Sequence, residues 1–381
     1  MILIRQGKPS DLDVLLKLAK MVHFINLPAD RDVILDKLRW SRQSFQSVRD
    51  GAPARSADDD AQYSTIGGAA GSSEQFVFIA EDVATGNIIG TSGLVAQMGG
   101  PGQPNVSLRL RRREFFSEDL QGGATHVTAK LVLDESGPTE IGGLIVGPSF
   151  RRHPKKVGKQ LSLVRFHYIG LHRARFQDRV LAEMMAPLTP DGRNTFWEYF
   201  GRRFINLTYD EADRFCQKSR EFMISLLPKE EIYLTLLPAE ARALVGKVGD
   251  DTIPARRMLE RLGFAYHDLI DPFDAGPHLE AATNDIELVR ATRLIECGGA
   301  MEGEPDGVGF VSADRPPPGA NEFRCIWTEY ALQDGAIVIP EEGMATLGIT
   351  KGDQVGFTPV GAAPTREQVA ASEGSKGSKT S

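Results

Sequence analysis

The stretch Glu140-Ile141-Gly142-Gly143-Leu144-Ile145-Val146, with the basic run Arg151-Arg152-His153-Pro154-Lys155-Lys156-Val157-Gly158-Lys159-Gln160-Leu161 behind it, decides how this chain folds. A short apolar run bounded by turn residues reads as a buried strand. The residues from about Gly158 to Ile169 then carry a helical apolar period. Arg179-Val180-Leu181-Ala182-Glu183-Met184 reads as the next strand and Thr195 to Phe200 as the next helix. The first turn of a helix presents free N–H groups and the positive end of its dipole, which together attract anions. Arg151, Arg152, Lys155, Lys156 and Lys159 surround that helix start, so the pattern predicts a phosphate-rich ligand there.

Strand, basic loop, helix, strand, helix is the order of the acetyltransferase-like acyl-CoA fold, an α/β (α+β) architecture. Working outward, residues 2 to 5 form a short strand, and Ser10-Asp11 precede a helix with Leu12, Val14, Leu15, Leu18 and Ala19 at helical spacing. A second helix follows Asp30, with Val33, Leu35, Leu38 and Trp40 as its buried face. Residues 50 to 74 are rich in Gly, Ala, Ser and Asp and read as a flexible insertion. Phe76 to Ala80 and Ile88 to Leu94 flank a Thr-Gly-Asn turn and predict a hairpin. Residues 96 to 105 read as loop and 126 to 133 as a strand.

Trp197-Glu198-Tyr199-Phe200-Gly201 and Glu260-Arg261-Leu262-Gly263-Phe264 both read as a helix ending at glycine before a strand, which suggests two related half-units. The expected organisation is an acyl-CoA-binding unit over 1–210, a second half-unit over 211–285, a small β-rich segment over 286–361 and a disordered tail over 362–381. Asp274-Ala275-Gly276-Pro277 reads as a tight turn with Gly276 supplying the unusual backbone angles.

With 381 residues, 41% hydrophobic and 25% charged, the chain has enough material for two or more packed units. A net charge of -7 argues against a nucleic-acid partner, which needs an excess of Lys and Arg to displace counterions. No apolar run approaches the roughly 20 residues of a membrane span, and no signal peptide precedes the first strand. Cys216, Cys297 and Cys325 show no metal-ligand or disulfide spacing, so a cytoplasmic, reducing location is expected. Ser162, Ser219, His267 and Asp268 lack the strand-borne elbow of a hydrolase. His267, Asp268 and His278 near Asp271 and Asp274 match no recognised metal spacing, and no metal is expected.

Over most of its length the chain resembles arginine N-succinyltransferases. The resemblance rests on Leu27-Pro28-Ala29, Phe76-Val77-Phe78, Ala182-Glu183-Met184, Phe196-Trp197, Gly201 to Phe204 and Cys216. Its most specific pieces are Pro254-Ala255-Arg256, Leu259-Glu260, Gly263-Phe264, Asp271, Phe273-Asp274 and Gly276-Pro277. It implies a GNAT-like fold, succinyl-CoA as acyl donor, the α-amino group of L-arginine as acceptor in arginine breakdown, and an oligomer of one or two kinds of chain.

On that resemblance Leu144 falls at an acyl-CoA contact, and Arg151, Arg152, Lys156, Gly158 and Lys159 occupy the phosphate-binding loop. The usual Arg/Gln-x-x-Gly-x-Gly/Ala pattern keeps its last glycine as Gly158 and has Lys156 at the first. The family's proton-transfer histidine corresponds to Gly249, and an arginine after Ala-Glu-Met to Met185. Glu140 and Glu183 match family positions and are the candidate catalytic pair, with His126, Asp250 and Asp251 as other bases; a carboxylate base needs a raised pKa near neutrality. Acylation of a different amine, or CoA or metabolite binding without catalysis, stay open as alternatives.

Overall fold

A computed structural model of the chain describes residues 1–21, 27, 29–54, 73–151, 153–189, 192–216, 219–314 and 322–362. Most of the expected insertion and tail, and Arg152, lie outside these residues.

The N-terminal part runs β1 (Ile2–Gln6), α1 (Leu12–Ala19), α2 (Arg31–Arg49), β2 (Gln75–Asp82), β3 (Asn87–Val95), β4 (Asn105–Ser117), β5 (Gly122–Asp134), β6 (Thr139–Val146), α3 (Val157–Leu171) and β7 (Arg179–Glu183). A π-turn at Trp197–Gly201 leads into α4 (Arg202–Phe204), α5 (Tyr209–Cys216), α6 (Glu221–Leu226), β8 (Ile232–Tyr233), α7 (Ala239–Arg242), α8 (Ile253–Arg261), β9 (Ala265–Ile270), β10 (Pro277–Ala282) and α9 (Glu287–Ala291). The chain continues through β11 (Arg293–Ala300), β12 (Gly307–Ala313), β13 (Arg324–Gln333), β14 (Ala336–Ile339), α10 (Glu341–Leu347) and β15 (Gln354–Ala362).

Among the described residues these strands form one mixed α/β sheet system, in the order β12-β15-β11-β14-β13-β1-β2-β3-β6-β7-β10-β9-β4-β5-β8. β12 also pairs with β13, so β11 to β15 close into a ring. A closed ring leaves no open edge along those strands. β1 joins that ring to the rest, pairing antiparallel with β13 on one side and β2 on the other.

Period-two alternation on β2 sorts its side chains to the two faces of the sheet. Phe76, Phe78 and Ala80 pack with Leu161, Val164 and Tyr168 of α3, whereas Ile79 packs with Leu15 of α1 and Ile34 and Leu38 of α2. Asp30 caps α2, its Oδ1 accepting from Asp32 N and Val33 N. The buried stripe of α2 is Ile34, Leu38, Trp40, Ser41, Ser44 and Phe45; Val33 and Leu35 are only half-buried. A separate core joins Val106 and Leu108 of β4 to Phe196, Trp197, Phe200 and Met223.

Several local expectations change. Residues 105 to 117, unread as a strand, pair along their whole length with β5. Their apolar alternation stops at Leu110 and gives way to Arg111-Arg112-Arg113-Glu114, because the hairpin leaves the core there. Gly201 does not end a helix before a strand: it is right-handed at φ -58, and helix continues to Phe204. Gly263, at φ +93, does precede β9. In the turn after β9 the left-handed residue is Ala275 at φ +64, not Gly276. Gly276 is required for a different reason, since a Cβ there would lie 1.9 Å from the carbonyl oxygen of Met184.

Candidate active site

The site forms where β6 leaves its neighbour. β6 lies parallel to β7 but pairs with it only at Thr139 with Val180 and Glu140 with Leu181. Past those rungs β7 stays on β10, while β6 stays on β3 through a register shift between Thr91 and Gly93. Gly143 sits beside that bulge at φ +59, a conformation that glycine adopts at little cost. A wedge therefore opens between the strands, and it exposes β6 backbone groups that a neighbouring strand would otherwise occupy.

Two cavities meet in the wedge. One, of about 100 Å³, is walled by Lys37, Thr91, Glu140, Cys216, Arg220 and Phe273. The other, of about 160 Å³, is walled by Leu144, Ser162, Arg165, Met184, Thr252 and Leu259. Gly142, Gly143, Glu183 and Asp271 line both.

Charge in the smaller cavity is mixed. Arg220 Nη1 donates to Asn105 Oδ1 at 2.7 Å, and Asn105 Nδ2 lies 3.5 Å from Glu183 Oε1. Burial works against the Arg220 cation, but Glu183, Cys216, Glu140 and Asp271 outweigh it and raise its pKa. Lys37 is shifted down by burial, with Glu140 and Asp213 opposing. Burial also pushes the Cys216 thiol up to about 12, so it is no nucleophile at neutral pH.

Behind the carboxylates lies His278, opposite Glu183 on the β7–β10 ladder and 2% exposed. Its Nε2 stands 3.9 Å from Glu183 Oε1 and 4.0 Å from Asp271 Oδ2, ion-pair distances too long for hydrogen bonds. Burial lowers the imidazole pKa, but Asp271, Glu183 and Asp274 together raise it above its ordinary value. Asp274 is pushed up to about 7 by burial and by Asp271. Its carboxylate still accepts from Ala186 N and Gly276 N, tying the β9–β10 turn to the strand end after Glu183. Trp197 stacks on Phe273 at 4.8 Å and holds the same turn from the other side.

A family model described as "Arginine N-succinyltransferase beta subunit" matches residues 2–288. The chain belongs to the arginine N-succinyltransferase family. Among its relatives, the arginine N-succinyltransferase of Enterobacter sp. (strain 638) is 30% identical over 80% of this chain and 82% of that one. The Escherichia coli (strain 55989 / EAEC) protein of the same name is 28% identical, covering 93% and 96%. The solved structure of arginine/ornithine succinyltransferase subunit AI from Pseudomonas aeruginosa superposes with a TM-score of 0.73 at 25% identity, over 95% of this chain and 99% of that chain.

The residues expected from the succinyltransferase resemblance are dispersed around this wedge. Glu140 and Glu183 come together on the smaller cavity, and Leu144 lines the larger. Arg151 reaches Asp251 Oδ2 at 3.3 Å at the rim, since Asp251 also lines the larger cavity. Lys156 precedes α3 at φ +50 and caps no N–H with its side chain, so the first turn of α3 is open. Gly158 lies in that turn, where a Cβ would meet only Val146 Cγ2 at 3.5 Å. Lys155 turns to Asp82 at 3.5 Å, and Lys159 sits 5.0 Å over the Trp327 ring of β13.

His126 is on the projecting β5, bonded to Thr235 Oγ1 at 2.9 Å, and lines neither cavity. Asp250 is exposed and also lines neither. Gly249 donates its N–H to Met185 O at 3.1 Å; a Cβ there would have Ala186 O and Pro187 Cα nearest, at 3.7 Å, so the position is open to a side chain. Sequence reading missed Lys37, Arg165 and Arg220 as site residues. Arg165 alone left a signal, a single cation inside the apolar run Leu161 to Ile169.

Proposed function

We propose that this chain moves the succinyl group of succinyl-CoA onto the α-amino group of L-arginine by direct attack. The observation that carries this reading is the pair of cavities meeting at Gly142 and Gly143, with Glu183 on both. Two substrates entering from either side would react at that junction, and holding them in line supplies about 7 to 11 kcal/mol. We read the fold as GNAT-like, with an acyl-CoA unit over 1–210, a half-unit over 211–285 and the β-rich 286–361, working in the cytoplasm.

On this reading the CoA phosphates rest on the open first turn of α3, with Arg151, Lys156 and Lys159 as the nearby cations, Gly158 allowing close approach, and Leu144 along the thioester arm. A β6 backbone N–H in the wedge faces the carbonyl oxygen as it gains charge, worth about 3 kcal/mol. Arginine occupies the smaller cavity, its carboxylate toward Arg220 and Lys37 and its cationic groups toward Glu140 and Asp271. Glu183 takes the proton from the amine, and His278 holds that carboxylate from behind. The nitrogen then adds to the thioester carbon, the C–N bond forms, the C–S bond breaks, and CoA leaves as a thiolate that takes up a proton. No metal enters this scheme: Arg220 and Lys37 bring positive charge to the site where Glu183, Asp271 and His278 hold their ligand atoms within 4.8 Å of one another.

The matching family model and the Pseudomonas aeruginosa structure are both described as subunits, and we read the β4–β5 hairpin tip as the assembly surface, between like or unlike chains. Phe116 and Leu120 there are 67% and 83% exposed. The decisive experiment mixes purified protein with succinyl-CoA and L-arginine, or with ornithine, which the name of the Pseudomonas aeruginosa protein also includes. Thiol release with formation of N-succinylarginine is expected; CoA binding with no release for either amine overturns the proposal.

A further inference from the structure

Among the described residues, the hydrogen bonds of Arg165 go only to Ser162 of its own helix and to the backbone of β6. It is 3% exposed, on the α3 wall of the larger cavity. Its Nε donates to Ser162 O at 3.0 Å, its Nη2 to Ser162 Oγ at 2.8 Å and its Nη1 to Gly142 O at 3.4 Å. Those are three neutral acceptors for five N–H donors. Arg5 and Arg175, also deep in the fold, each bond to carboxylates, Asp11 and Glu81 for one and Glu74 for the other. Among the described residues Arg165 makes no ion pair. Burial pulls its pKa down to about 9, with only the charge of Glu140 opposing, so it remains a cation at neutral pH.

A buried charge left with neutral partners costs several kcal/mol, and a protein keeps one where a ligand completes it. The acids of this cavity stand on elements other than α3: Glu183 on β7, Asp271 and Asp274 in the β9–β10 turn, and Asp251 before α8, which is paired with Arg151 at the rim. The α3 wall is thus the positive one. Arg165 comes eight residues after Val157, about 12 Å along the helix from the end that would hold phosphate. It bonds to the carbonyl of Gly142, at the junction where the acyl carbon would lie. An anion at this depth is therefore not a CoA phosphate. It belongs to the acyl chain.

We propose that Arg165 binds the free carboxylate at the far end of the acyl group, and so selects a dicarboxylic monothioester over a neutral acyl-CoA. The proposal rests on the reading that the larger cavity takes the acyl-CoA. Arg165 is a specificity-determining residue, and the donor is recognised through the fixed fork of its guanidinium.

Equilibrium binding of succinyl-CoA and of butyryl-CoA, without acceptor, tests this separately from turnover. The native chain should prefer succinyl-CoA by at least about a hundred-fold, the range expected when one partner of a buried charge pair is removed. Arg165→Gln should lose that preference, and Arg165→Lys, which keeps the charge and folds if Gln does not, should retain part of it. Equal affinity of the native chain for the two donors overturns the proposal, as does an Arg165→Gln variant with the preference intact. A chain that prefers succinyl-CoA yet acylates neither arginine nor ornithine leaves this assignment standing and removes the acceptor reading instead.

Discussion

Glu183 owes its place in the wedge to strand pairing. It ends β7 where β6 has departed, so its carboxylate faces both cavities while His278 backs it from β10. Glu183→Gln should lower kcat by about a hundred- to ten-thousand-fold, the usual worth of a general base, with a smaller change in KM. The imidazole of His278 should titrate above its ordinary value of about 6.5, visible in its ring ¹⁵N shifts. In Glu183→Gln that midpoint should fall, because one of the three acids favouring the imidazolium is gone. An unchanged midpoint would show that the two groups do not communicate. Since the folded pKa is the raised one, the stabilisation from His278 is full below about 6.5 and fades as pH rises through the folded value. Glu183 was legible in Ala182-Glu183-Met184. Its partner His278 was visible only as one histidine near two aspartates, because ladder register, and not chain spacing, sets it opposite Glu183.

Elements explain what the sequence concealed. α3 is buried over most of its surface, so its apolar residues carry little information about direction, and one arginine among them reads as an irregularity. β4 hid because half of its hairpin with β5 leaves the core and loses its alternation, whereas β5 was read in part as residues 126 to 133. The β9–β10 turn was legible as a turn, but its glycine was assigned the wrong task. Gly276→Ala should destabilise the fold by more than about 3 kcal/mol in chemical denaturation, since the added Cβ meets backbone, which cannot swing aside as a side chain can. Because that turn carries Asp271 and Asp274, residual folded Gly276→Ala should also lose activity. Full stability would mean that Met184 and Ala186 move freely, and the wedge would not be held as described.

For the whole molecule, the join between the ring of β11 to β15 and the rest runs through α3 as well as β1. His167 of α3 meets Thr358 Oγ1 of β15 at 2.6 Å and Ser312 Oγ of β12 at 2.7 Å. Burial, helped by His172, pushes its pKa down to about 3, so it folds as the neutral ring. The unfolded chain takes up a proton below about 6.5 and the folded one does not. Stability contributed by this residue is thus present above about 6.5 and is lost as pH falls toward 3, by at most about 1.4 kcal/mol per pH unit. His167→Gln should lower stability at pH 7 yet flatten the acid side of the stability profile by one proton, measured by denaturant unfolding between pH 6.5 and 4. An unaltered slope would assign the acid sensitivity elsewhere. The ring itself was half legible: the chain over 286–361 reads as β-rich, while nothing local announced closure.

The place of β1 carries a consequence for how the molecule is made. Arg5 pairs with Arg324, so β1 leaves a ribosome long before its partner β13. At ~5–20 residues per second that interval is roughly 15 to 60 s, during which one edge of β1 has no native partner. The nascent chain therefore carries an open, apolar strand edge through that interval, and the period of greatest exposure to misassembly ends only when β13 arrives.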